Sequence, residues 1–178
     1  MADFEQAIAF VLSQEGGYQC RASDPGNWTG GAKGQGELKG TNFGISSKSY
    51  PNEDIKGMTV ERAKEIYRRD YWTPIGGDAL PDGVAVALLD AAVNQGVVRA
   101  VKWVQSALDT DVVDGIVGPR TVAAARNDCG RWLVPFLLHR HAAYMKTIAA
   151  NPEMIEWAGT WAERLFLLEK MVLGIHAA

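Results

Sequence analysis

Apolar positions recur at helical spacing from the start of the chain, with Phe4, Ala7, Ile8, Val11 and Leu12 on one face. Asp3 stands where a cap belongs, and Gln6 three positions later completes a capping box. One further step along the same face reaches Glu15, after which Gly16 and Gly17 end the helix. Residues 18–57 keep no sustained period and are rich in glycine, above all in TGGAKGQGELKG at 29–40. They read as a long loop with room for a short hairpin around TNFGI. Periodicity returns after Thr59, which caps a helix to about Trp72 with Val60, Ala63, Ile66, Tyr67 and Tyr71 on its buried side.

The stretch LPDGVAVALLDAAVNQG, 80–96, is apolar nearly all round, as a helix at the centre of a fold must be. Its polar exceptions are Asp90, Asn94 and Gln95. Asn94 follows Asp90 by one turn and both need partners, so a hydrogen bond between them is favoured over contact with a ligand. VVRAVKWVQSALD continues as helix, and VDGIVGPRT at 113–121 is a turn-rich connector in which Pro119 and Thr121 restart helix. Two more helical runs follow, around 131–149 and 153–173, separated by Asn-Pro. The fold class predicted is mainly α, with one long glycine-rich loop near the front and neither repeats nor a low-complexity tail.

Composition narrows the functions open to such a chain. Its 178 residues are 47% hydrophobic and 22% charged, the balance of a globular protein with one domain or two small interlocked halves. A formal net charge of −3 and a pI near 5.6 leave no broad positive field for nucleic acid. MADFEQAIAF lacks the charged leader and apolar run of a secretory signal, and no span approaches the roughly 20 apolar residues that cross a bilayer. Synthesis in the cytoplasm without membrane insertion is the expectation. Cys20 and Cys129 match neither a zinc spacing nor a disulfide scaffold and read as free thiols. His139, His141 and His176 have no ligand-like company, so neither a metal nor a cofactor is expected.

Glu15 is the first candidate for chemistry. Loss of solvation on the buried side of a helix end favours a carboxyl's neutral form, and a neutral acid can donate a proton to the leaving oxygen of a glycoside. An exposed glutamate at a frayed helix end is the competing reading. Asp24 follows after eight residues in Asp-Pro-Gly, which is also a standard turn in which the aspartate bonds its own downstream backbone.

EGGYQCRASDPGNWT, followed by TNFGI, IYRRDYW and LLDAAVNQG, resembles the glycoside hydrolase family 108 N-acetylmuramidases, found as phage endolysins and as proteins labelled secretion activators. The positions that carry the resemblance are Glu15, Gly16, Gly17, Tyr18, Asp24, Pro25, Gly26, Thr41, Asn42, Phe43, Gly44 and Ile45. Asn27 departs from the pattern, standing where a second glycine is usual, and 29–40 looks like an insertion. The insertion leaves Thr29 and Thr41 both open as the family threonine, with Thr41 preferred because its neighbours follow it. The order glutamate, aspartate, threonine is also similar to that of phage T4-type lysozymes. The resemblance implies a lysozyme-like helical fold and a peptidoglycan substrate, with Glu15 as proton donor and Asp24, helped by Thr41, positioning water.

Tyr18, Trp28, Asn42 and Asn94 are candidates to line a sugar cleft, although each is also ordinary packing or turn chemistry. VDGIVGPRTVAAA resembles the turn-and-helix signature of peptidoglycan-binding modules. The organisation expected is therefore a catalytic region, 1–95, and a wall-binding region, 96–178, packed together without a flexible linker, since only Gly96 breaks the helices there. The insertion at 29–40 is expected to be a mobile flap from which Lys33 and Lys39 reach peptide carboxylates or solvent.

The function expected is a monomeric lysozyme that hydrolyses the β-1,4 bond between N-acetylmuramic acid and N-acetylglucosamine in peptidoglycan glycan strands. A phage or prophage endolysin acting on the cell wall in the periplasm, after release from the cytoplasm, fits the missing leader. Two rivals stay open: a lytic transglycosylase, for which Asp24 is dispensable, and a non-catalytic wall-binding or secretion-assisting module.

Overall fold

Both polar caps marked in the sequence start helices. An Asp3 carboxylate oxygen accepts from the Glu5 amide at 2.8 Å, and the Thr59 hydroxyl accepts from the Arg62 amide at 3.2 Å. The structure, a computed structural model, describes residues 2–176. The first helix, α1 (Phe4–Gln14), buries Phe4, Ala7, Ile8 and Val11, as its pattern requires. The helix begun by Thr59 is α2 (Val60–Tyr67), which widens into a π-type turn at Arg68–Trp72. Ala63, Ile66 and Tyr67 are buried, but Val60, beside the cap in the first turn, is 38% exposed. The chain falls into two compact units, one of residues 8–69 and one formed by the described residues up to Ala7 with those from Asp70 onward.

The second unit is helical. It contains α3 (Asp82–Gln95), α4 (Val97–Ala107), α5 (Pro119–Asn127), α6 (Leu133–Ala150) and α7 (Ala158–His176). Gly83 through Ala92 are all buried, so α3 is the central helix that its all-round apolar sequence predicts. It packs against α4 and α7, and α4 packs against α6. Gly96, with φ at 92°, separates α3 from α4 in a conformation few other residues adopt. The units therefore do not part at Gly96: α3 and α4 belong to one helical body, because the apolar faces on both sides of that glycine need each other.

Asp90, in the middle of α3, is fully buried. Its carboxylate does not bond Asn94, as the sequence suggested, but accepts from Arg140 of α6 at 2.6 Å and from Arg164 of α7 at 2.8 and 2.7 Å. A carboxylate without solvent is strongly disfavoured unless cations replace the lost water, and a neutral amide one turn away is a weak substitute. Arg140 is itself fully buried, and its remaining donors reach Gln95 at 2.9 Å and the Tyr144 hydroxyl at 3.4 Å. Tyr144 in turn donates to Asn94 at 2.7 Å and stacks on Trp161 with ring centroids 4.7 Å apart. Among the described residues no buried side-chain polar atom lacks a partner.

Gln105 of α4 organises the connector before α5. Its amide donates to Asp114 at 2.9 Å, to the Ile116 carbonyl at 3.0 Å and to Thr121 at 3.2 Å, and its oxygen accepts from the Gly115 amide at 2.9 Å. The hydrogen bond from Gln105, aided by the Ile116 amide, holds the Asp114 carboxyl below the usual carboxylate range. The turns read from VDGIVGPRT are thus wrapped around one side chain.

Because Arg140 and Arg164 converge on one acid, Asp90→Ala takes from both the buried carboxylate they share. It should cost about 3–5 kcal/mol in chemical denaturation of the whole chain. A loss below about 1 kcal/mol would mean that the arginines find other partners or water.

Candidate active site

The site is built in the unit of residues 8–69, from the ends of two helices and one turn. Strands β1 (Thr41–Asn42) and β2 (Ile45–Ser46) form an antiparallel hairpin with Thr41 opposite Ser46 and Asn42 opposite Ile45. The two turn residues, Phe43 and Gly44, have φ of 49° and 77°, as a tight turn matching strand twist requires. Glycine adopts this freely. A bulky aromatic does not, so Phe43 is held there at a cost of about 1–3 kcal/mol. The Tyr67 hydroxyl, at the end of α2, donates to the Phe43 carbonyl at 2.7 Å.

Glu15, half-buried just past the end of α1, comes to the same turn. A methyl group on Gly44 would stand 2.6 Å from the Tyr67 hydroxyl oxygen and 2.7 Å from a Glu15 carboxylate oxygen. The two side chains therefore converge on a backbone that has no room for a side chain of its own. Glu15 thus lies where its sequence pattern places it. Tyr67, read from the sequence only as a core residue of α2, is the partner that pattern missed; helical spacing shows that it is buried but not what its hydroxyl reaches.

Asp24 and Thr41 belong to a second cluster in this unit. Asp24 caps the short turn Pro25–Asn27, with one oxygen accepting from the Gly26 amide at 2.8 Å and the other from the Gln19 amide group at 3.3 Å. Gln19 and Asn27 exchange a pair of amide hydrogen bonds at 3.0 and 2.8 Å, and the Thr41 hydroxyl donates to Asn27 at 2.7 Å. Gln19 also pairs through its backbone with Thr41, both bonds at 2.8 Å. Asp24, Gln19, Asn27 and Thr41 form one continuous chain of polar groups with Asn27 fully buried at its centre. Asn27 supplies an amide that a glycine at this position would lack.

The glycine-rich segment is a bonded excursion. Trp28 pairs with Leu38 as an isolated bridge; Thr29 gives its amide to the Glu37 carbonyl and accepts the Glu37 amide on its hydroxyl, both at 2.9 Å. Lys39 donates its ammonium to the Pro51 carbonyl at 2.8 Å and pairs with Glu37 at 3.4 Å, while Lys33 is exposed. Thr29 closes this excursion, whereas Thr41 joins the Asp24 cluster.

The remaining candidates divide by burial. Asn42 is buried and donates its amide to the Ile55 carbonyl at 3.1 Å, tying the hairpin to the following loop. Trp28 is half-buried, with its indole N–H donated to the Ala22 carbonyl at 3.0 Å. Tyr18 is 41% exposed and lines an open groove of about 440 Å³ with Leu38, Lys39 and Ile55. The Cys20 thiol hydrogen-bonded to it, with some loss of solvation, raises the Tyr18 phenol above its usual range. Asn94 belongs to the helical unit and is occupied by Tyr144. Cys20 and Cys129 are free and exposed, and no metal-ligating cluster occurs among the described residues.

The profile of the family described as glycosyl hydrolase 108 matches residues 8–96. The chain belongs to this glycosyl hydrolase family. The matched span holds Glu15, the Asp24 cluster, the hairpin and Tyr67. A solved structure, that of Brucella abortus SagA, is similar over 98% of this chain and 96% of that one, at 30% identity and a TM-score of 0.74. No curated protein matches. Family membership makes the chain a glycoside hydrolase with a glycan as substrate.

Gly44→Ala should lower glycan cleavage by at least about tenfold while circular dichroism stays native, since a small displacement of a catalytic group is costly. Tyr67→Phe, which removes the hydrogen bond to the Phe43 carbonyl, should act in the same direction. An unchanged rate in Gly44→Ala would separate the turn from catalysis. Thr41→Val removes one part-buried hydrogen bond and should cost about 0.5–1.5 kcal/mol in a denaturant titration. A lost rate at unaltered stability would instead make Thr41 a catalytic group.

Proposed function

We propose that this glycoside hydrolase is an N-acetylmuramidase that cleaves the β-1,4 bond between N-acetylmuramic acid and N-acetylglucosamine in peptidoglycan. The observation that carries the reading is the convergence of Glu15 and Tyr67 on the Phe43-Gly44 turn. In this reading Glu15 protonates the glycosidic oxygen as the bond breaks. Tyr67, with its proton committed to the Phe43 carbonyl, fixes the turn beside the acid. Asp24, with Thr41 behind it through Asn27, orients water on the opposite sugar face, and inversion follows if the two carboxyls stand roughly 6.5–9.5 Å apart. Tyr18 and Trp28 offer aromatic surface for sugar rings beside the site.

The chain fits a phage or prophage endolysin acting on the wall as a monomer, with residues 96–178 contributing wall affinity. No helix among the described residues is long and apolar enough to cross a membrane.

One observation favours a second reading. Both carboxylate oxygens of Asp24 are already engaged, one by the Gly26 amide of the Pro25–Asn27 turn and the other by Gln19, which suits a lytic transglycosylase working through Glu15 alone. Mass spectra of digested sacculi decide: reducing muropeptides mean hydrolysis, and anhydro ends mean transglycosylation. Glu15→Gln should lower release of either product by at least about a hundredfold with the fold intact. Asp24→Asn should reduce hydrolysis by less. Near-normal release by folded Glu15→Gln protein would remove Glu15 from the mechanism.

A further inference from the structure

Helices α4 and α6 pack on one another, and neither contains an aspartate or glutamate. Between them they carry Arg99, Lys102, His139, Arg140, His141 and Lys146, in a chain whose formal net charge is −3. Arg140 is consumed by Asp90. Arg99 and Lys146 are exposed, and among the described residues neither has a carboxylate within ion-pair distance.

These two cations line a groove of about 640 Å³ with Trp103, His139 and Thr147. It is continuous, through Arg99 and Thr147, with a second depression of about 300 Å³ bordered by Trp161. No acidic residue lines either depression. The volumes are those of sites that hold small ligands, and the walls alternate aromatic faces with the small side chains of Ala142, Ala143 and Ala150. Unpaired cations beside apolar walls select an anion that also carries small apolar groups.

We propose that this groove binds the acidic peptide stem of peptidoglycan, with Arg99 and Lys146 meeting its carboxylates and Trp103 and the alanine wall packing on its short side chains. A phosphate polymer answers the charges but gives the Trp103 and alanine surfaces nothing to cover. No residue of the sequence motif at 113–121 that suggested wall binding lines the groove, whose walls come from α3, α4, α6 and α7. The choice of occupant rests on the peptidoglycan reading of the catalytic site; the cationic chemistry of the groove does not.

The test is co-sedimentation of Glu15→Gln protein with purified sacculi stripped of phosphate polymers, so that the wall stays uncut during the measurement. Adding Arg99→Gln and Lys146→Gln should weaken binding about tenfold or more at low salt, without changing circular dichroism. Amidating the carboxyls of the sacculi should weaken the parent protein's binding equally. Unaltered binding by the double substitution, or full binding to amidated sacculi, overturns the inference, and binding only to sacculi that retain phosphate polymers overturns the peptide as occupant. The catalytic reading is checked separately on stem-free N-acetylated glycan chains with Glu15 restored. If that protein releases no product from chains or sacculi, the muramidase reading falls, while the binding measurements still decide the groove.

Discussion

A carboxylate with no access to water dictates the arrangement of the helical unit. Asp90 sits in the middle of a helix whose other residues from Gly83 to Ala92 are buried and, but for Gly83, apolar, so its charge can be kept only if cations come to it. Two arginines do, one from α6 and one from α7, and their geometry fixes where both helices cross α3. The apolar faces alone would permit sliding; a buried ion cluster in which each Asp90 oxygen meets a different arginine does not. Arg140 then extends the order to Gln95 and Tyr144, so that α6 is held along its inner side while its outer side is left to present Lys146.

The unit of residues 8–69 reaches definition by another route. Its strands are two residues long and its loops are rich in glycine, so apolar burial cannot by itself offset the entropy of ordering them. Amide chemistry substitutes: Gln19 and Asn27 lock together face to face, and Asp24 and Thr41 join from either side. A network of this kind is worth having only when every member is satisfied, and the described ones are. It gives the loop a fixed shape beside the turn that Glu15 and Tyr67 approach.

Much of this was legible in the sequence. The helix starts at Asp3 and Thr59, the central α3, the glycine break at 96 and the hairpin at TNFGI all follow from periodicity and turn chemistry, which are local. Glu15 was legible because an acid at the end of an apolar stripe is itself a local anomaly. What escaped was nonlocal. The hydroxyl of Tyr67 and the carbonyl of Phe43 are joined by folding, not by spacing. The partners of Asp90 lie 50 and 74 positions away, so the nearer Asn94 was the better guess on spacing alone. In the excursion at 29–40, glycine content counts the ordering entropy but does not show the backbone bonds that oppose it. The wall-binding signature at 113–121 gave a shape organised by Gln105, and no pattern announced the groove formed by α4 and α6.

Phe43 shows what selection has accepted at this site. Its left-handed backbone would be relaxed by asparagine or glycine, which form the same turn without strain. Proteins sit just above the stability they need, and stabilising replacements are common unless function opposes them. The aromatic at this position is therefore a place where two screens should disagree: one that ranks variants by heat resistance would discard Phe43, and one that ranks them by glycan cleavage would restore it.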